Sequence, residues 1–284
     1  MIVSLVAGDD SALVDSTAGG RLASLLAGGR ERLISAPQPG SALPDVSWGS
    51  FLMAPWVGRI AEGRLDWRGA AAELPRNQGR HALHGAVFNV PWQVLASDAT
   101  SVELSCPIAT DRWPFAGQAW QRLTLGPGSL RFEASVIASR PMPVALGWHP
   151  WFRRDPGEDL AVTVLSDRRL ELDQELIPSG VSLPVSGPYD LRSGPTLGDR
   201  RLDDVLIDAR GPAIVRWTDL ELRLEFEAPF SSVVVFSPAG SVCVEPATAW
   251  PDALRLSSAG IAGTGQAVLE AGQRLATTMT WQWT

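Results

Sequence analysis

A chain of 284 residues is long for one domain of average size and short for two, and its composition, 45% hydrophobic and 19% charged with 27 Gly and 22 Pro, is that of a folded globular protein able to bury a large core. All 24 basic residues are Arg against 31 acidic ones, a net charge of −7: without Lys there is no Schiff-base, pyridoxal or Walker lysine, and without a basic stripe there is no footprint for nucleic acid. The two cysteines, Cys106 and Cys243, and three histidines, His81, His84 and His149, cannot furnish a zinc-finger or iron–sulfur ligand set, and cysteines so far apart suit a reducing compartment.

In chain order, Met1–Asp10 is a short apolar run without a basic leader, and no later segment offers about 18 uninterrupted apolar residues, so a soluble, cytoplasmic protein with no membrane partner is expected. Arg21 to Leu33 could be helical but is broken by Gly28-Gly29, which favours a hairpin around that pair. Short strand-like runs bounded by Gly, Pro, Asp or Ser recur at 101–106, 120–125, 129–137, 160–165, 213–217, 232–236, 241–244 and 274–283. The clearest period of two is at 220–227, where Leu220, Leu222, Leu224 and Phe226 alternate with Glu221, Arg223, Glu225 and Glu227. Strands at this spacing without alternating helices predict an all-β sandwich or barrel of antiparallel strands rather than a parallel sheet. The Pro- and Gly-rich stretches 36–45 and 178–200 read as long loops inside one domain, 1–284, because the strand pattern is the same on both sides of each.

Two ionisable residues share a local feature. His149 precedes Pro150 and Glu245 precedes Pro246, each after an apolar run, and proline forces its predecessor into an extended conformation. Both side chains are therefore expected at stiffened strand ends, where a partly desolvated Glu245 has a raised pKa suited to a general base. Trp148 and Trp151 bracket His149 and Trp250 follows Glu245, and flat indoles suit the apolar face of a sugar ring. His81 and His84 lie three apart, so on an extended segment one faces a site and the other faces away. Neither a helix nor a third donor makes them metal ligands, and no metal is expected. Arg59 and Asp203 sit in apolar surroundings and could donate to and accept from sugar hydroxyls.

The segments APWVGRI (54–60), HALHG (81–85), GWHPWF (147–152), LDDVL (202–206) and CVEPATAWPDAL (243–254) resemble, in order, the successive motifs of the aldose 1-epimerase (mutarotase) family. The resemblance implies a galactose mutarotase-like β-supersandwich, with Glu245 as catalytic base and His149 as acid. It implies substrate contacts from Arg59, His84 and Asp203 rather than Asp204, and none from His81. It also implies a sugar as the small-molecule partner, no cofactor, and a monomer or homodimer. One departure is Gly58, where many members have Asn before the Arg. The implied chemistry is ring opening: a base takes the anomeric hydroxyl proton while an acid protonates the ring oxygen. On this reading the two groups face each other across about 5–7 Å, with His149 partly protonated when sugar arrives, a state that a Glu245 carboxylate favours provided burial does not outweigh it. A hexose-6-phosphate epimerase using Arg76, Arg80, Arg153 and Arg154, or a non-catalytic carbohydrate-binding domain, are the alternatives.

Overall fold

The computed structural model describes residues 1–37 and 46–284. Of the loop expected at 36–45, residues 38–45 lie outside the described residues. Two sheets dominate, one of eleven strands and one of eight, and every strand pairing in them is antiparallel. The all-β antiparallel architecture is the expected one. No helix among the described residues is long and apolar enough to cross a membrane.

The reason for the two layers is visible in single strands. In Glu221–Phe226 the apolar Leu222, Leu224 and Phe226 are buried while Glu221, Arg223 and Glu225 are half-exposed, as the period of two dictates. In the central strand Gly147–Arg153, Trp148 and Phe152 point into the core between the sheets, where Trp148 meets Phe132 and Phe152 meets Trp281 of the eight-stranded sheet. The alternate residues, His149 and Trp151, therefore project from the other face of the eleven-stranded sheet. That face carries a second apolar cluster, including Phe51, Trp151, Val205 and Cys243, and it is where the cavity described below lies.

The hairpin expected over 21–33 is present as the strands Arg21–Ala27 and Arg30–Glu31 turning at Gly28-Gly29. The stretch 178–200 departs from expectation, because it contains the strand Pro178–Pro184 and a short 3-10 turn, Gly187–Tyr189. Pro178 and Pro184, two of the four prolines in the stretch, stand at the ends of an edge strand, where a missing N–H costs no ladder bond. The one α-helix among the described residues, Ala253–Ser258, is too short at six residues to leave a helical period in the sequence.

Candidate active site

Register alone brings the two proline-flanked residues together. The strands Gly147–Arg153 and Ser241–Ala247 are neighbours, with Gly147 opposite Ala247 and Trp151 opposite Cys243, so His149 stands directly opposite Glu245. Side chains opposite each other on adjacent antiparallel strands share a face and touch: His149 Nε2 lies 3.3 Å from Glu245 Oε1. Both residues are thus inside strands rather than at strand ends. They are adjacent partners, not groups opposed across 5–7 Å. No ladder pairing joins 148–150 to 244–246. Pro150 and Pro246 have no N–H to give, and the ladder opens at the level where His149 and Glu245 sit.

The floor continues across the sheet by the same logic. Glu245 is opposite Val234, and Val234 is opposite Val205; Cys243 is opposite Phe236, and Phe236 is opposite Asp203. The carboxylate of Asp203 therefore reaches the same face as Glu245 from two strands away. Its neighbour Asp204 points to the other face, where it meets Arg169 at 3.3 Å.

A small two-stranded ribbon forms the rim. Arg59–Ile60 pairs with Ala82–Leu83, and the His84 N–H donates to the Gly58 carbonyl at 3.0 Å. The chain turns at His84 (φ +63°) and Gly85 (φ +89°), where a Cβ on residue 85 would fall 2.2 Å from the Ala54 carbonyl oxygen, so only glycine fits. This turn aims His84 at His149, ring centroids 4.7 Å apart and nearly perpendicular. His81 goes the other way: its Nδ1 accepts from the Glu62 N–H at 3.1 Å, and its Nε2 is 3.8 Å from Glu175. The Arg59 carbonyl is held by the Asp252 N–H at 2.9 Å, and buried Asp252 in turn accepts from the Ala61 N–H and from Arg255.

Together these elements enclose a cavity of about 550 Å³ whose walls include Arg59, His84, His149, Asp203 and Glu245, with Gln78, Trp151, Val234 and Phe236. Arg59 is the only guanidinium among the described lining residues. His149 and Glu245 are each 3% exposed. The imidazole is clamped flat between Phe51 at 4.8 Å and Trp151 at 5.4 Å. Its Nδ1 and that of His84 have no hydrogen-bond partner in another residue.

Burial governs the charges. Glu245 is pushed well above the usual carboxylate range, first by desolvation and then by the nearby Asp203 carboxylate, with Arg59 opposing. His149 is pushed down to about 3, chiefly by desolvation, with the buried cation of Arg21 adding to it. His84 is lowered well below the usual imidazole value by the same burial, and Asp203 is raised by it. The attraction of a Glu245 carboxylate for a proton on His149 is thus opposed by desolvation, which favours a neutral imidazole beside a carboxylic acid. That pair differs from imidazolium beside carboxylate by one proton moved across the contact.

All five residues singled out from the sequence line one cavity. Of the tryptophans, only Trp151 does; Trp148 faces the core, and Trp250 packs in the second apolar cluster. Sequence reasoning missed Phe51, whose place behind His149 depends on pairing between distant strands, and Asp252, whose grip on the Arg59 main chain carries no signal beyond its segment. At Gly58 (φ +58°), a Cβ would lie 2.7 Å from the Pro251 ring, itself a lining residue. A side chain at position 58 would therefore meet that ring.

Residues 1–282 match a family model described as aldose 1-epimerase. Over 156 residues the chain is 34% identical to the galactose mutarotase of Mus musculus, a match that covers 51% of this chain and 45% of that protein. Over 155 residues it is 32% identical to the uncharacterized protein YihR of Escherichia coli, covering 52% and 49%. The matches therefore span about half the length of these relatives. Among solved structures, a galactose mutarotase-like protein from Clostridium acetobutylicum superposes with a TM-score of 0.86 over 100% of this chain and 95% of its own, at 17% identity. A galactose 1-epimerase from Lactobacillus acidophilus gives 0.81 over 100% and 94%, also at 17%. At such identity the likeness is one of fold.

Proposed function

We propose that this chain, which belongs to the aldose 1-epimerase family, interconverts the α and β anomers of a free aldose by opening and closing its ring. The observation that carries the reading is the His149–Glu245 contact of 3.3 Å in the wall of a cavity where Arg59, His84 and Asp203 also present polar atoms. The reaction exchanges protons at two oxygens, the anomeric hydroxyl and the ring oxygen, and both are bonded to C1. A donor and an acceptor side by side address two such oxygens better than groups placed on opposite sides of the ring.

In the proposed sequence a sugar hydroxyl replaces the direct contact between the pair. Glu245, as carboxylate, takes the proton of the anomeric hydroxyl while His149, as imidazolium, protonates the ring oxygen. The bond from C1 to the ring oxygen breaks, and C1 becomes an aldehyde. Rotation about C1–C2 presents the other face, and the reverse transfers close the opposite anomer. The pair carries one proton before and after, so no exchange with solvent is needed. Arg59 lowers the cost of the carboxylate form, and Arg59, His84 and Asp203 hold the remaining hydroxyls. In this reading residues 1–284 form one domain, supported by a main apolar cluster that runs from Val3 to Trp283.

The phosphorylated-sugar alternative loses ground. Arg76, Arg80, Arg153 and Arg154 do not line the cavity; Arg80 is taken by Glu62 and Glu175, and Arg154 by the Gly198 carbonyl. The test is a polarimetric or NMR time course on freshly dissolved α-glucose, α-galactose and a pentose panel, with glucose 6-phosphate alongside. Anomerisation well above buffer for a free aldose is expected. A rate equal to buffer for every sugar leaves a binding domain, and a preference for the phosphate reverses the order of readings.

A further inference from the structure

The geometry points to a binding site for a soft divalent cation, of which zinc is the type, formed by His149, Cys243 and Glu245, and to loss of the proton chemistry when that site is filled. One nitrogen, one sulfur and one carboxylate oxygen from these residues lie within 4.8 Å of one another. No other group of three such donors meets the same measure among the described residues. The cause is again register. Cys243 and Glu245 are two residues apart on one strand and so share a face, while the neighbouring strand sets His149 beside Glu245.

The donor set fits the ion. Sulfur, nitrogen and oxygen from three side chains, with one position left open, is the pattern of zinc held by a protein while a fourth ligand comes from solution. Zinc bonds are about 2.3 Å to sulfur and about 2.0–2.2 Å to nitrogen and oxygen, so the three donors must draw together by about an ångström. His149 and Glu245 line the cavity, so an ion enters from that side with its open position facing the space a sugar takes; Cys243, which does not line it, closes the site from behind. Coordination takes the thiolate and carboxylate forms, so any proton that the thiol or carboxyl carries goes to solvent. It also occupies the lone pairs on which ring opening depends, so metal and turnover exclude each other. The binding half stands by itself; the inhibition half rests on the function proposed above.

The experiment starts from chelator-treated full-length protein and adds cobalt(II), then zinc, following absorption and anomerisation together. One equivalent of cobalt is expected to give a thiolate-to-cobalt charge-transfer band that zinc abolishes, while zinc lowers turnover with the same midpoint. Cys243→Ala is expected to turn over sugar like the metal-free wild type, to lose the band, and to need at least tenfold more zinc for half inhibition. Cys106→Ala is expected to behave as wild type, and Cys243→Ser serves if the alanine variant fails to fold. No band in wild type, a band lost with Cys106 instead, or equal zinc sensitivity after loss of Cys243 each overturns the site. A chain that gives the Cys243-dependent band yet turns over no aldose keeps the site and overturns the sugar reading.

Discussion

Two sets of ionisable side chains in this molecule are treated in opposite ways. Arg21 is fully buried, donates to the carbonyls of Ala18, Trp48 and Phe88, and lies 4.1 Å over the Trp48 ring. Arg32, also buried, makes a two-pronged contact with Asp219 and reaches the Ala27 carbonyl. Around the cavity the pattern reverses: the side chains of Arg59, His84, Asp203 and Glu245 make no hydrogen bond to protein among the described residues, and the only ion-pair contact is His149 with Glu245. Buried polar groups without partners cost stability. Leaving buried His84 and Glu245 and half-exposed Arg59 and Asp203 without hydrogen-bond partners around one cavity, while Arg21 and Arg32 are held by protein atoms, marks where atoms from outside complete the bonding.

The strongest way to break this comparison is to remove the proposed proton handlers. Glu245→Gln and His149→Asn are each expected to lower turnover by about 10²–10⁴, the contribution typical of one positioned acid or base, with cooperative folding retained. If Glu245→Gln keeps most of its activity on the preferred sugar, the base is another carboxylate, and Asp203 is the nearest candidate by sheet position.

How much of this was legible without coordinates follows from what each feature depends on. Period-two runs such as 220–227 announce strands because the signal is local, and motif order singles out Arg59, His84, His149, Asp203 and Glu245. The separation of His149 and Glu245 was misjudged because it is fixed by the register between strands about a hundred residues apart, which no local pattern encodes. The balance between charge and burial at His149 stays open in the sequence for a related reason. Neighbouring charge is readable from residue types, whereas the desolvation that overrides it depends on how completely Phe51, Trp151 and the strands seal the pair.

Crossing the two sets sharpens the contrast at a smaller scale. Asp219→Ala strips the partner from a buried guanidinium and is expected to lower unfolding free energy by about 1–3 kcal/mol, leaving turnover per folded molecule unchanged. Arg59→Ala should do the reverse, with denaturant midpoints near wild type and KM raised at least tenfold. Loss of turnover in the first or of stability in the second removes the distinction. His84→Ala is expected to act like Arg59→Ala, raising KM more than it lowers kcat. An equal fall in kcat at saturating sugar places His84 in the chemical step.

The smallest effect concerns stability in the absence of sugar, and its sign follows from the two displaced pKa values. Glu245 holds its proton above the ordinary carboxylate value of 4.5, so as pH rises past that point the unfolded chain releases a proton that the folded chain keeps. Stability then falls with rising pH, by at most about 1.4 kcal/mol per pH unit, until the folded carboxyl also ionises. His149 runs the other way: with its value moved from 6.5 to about 3, the unfolded chain takes up a proton below 6.5 that the folded chain refuses, and stability falls with falling pH down to about 3. Glu245→Gln is therefore expected to melt higher than wild type by a margin that grows as pH rises above 4.5, until the folded carboxyl ionises, and His149→Asn by a margin that grows as pH falls from 6.5 towards 3. Urea titrations across that range measure both difference curves. Flat curves for both variants would mean that the pair is as well solvated in the folded chain as in the unfolded one, and the unpartnered polarity of the cavity would then carry no stability cost for a sugar to relieve.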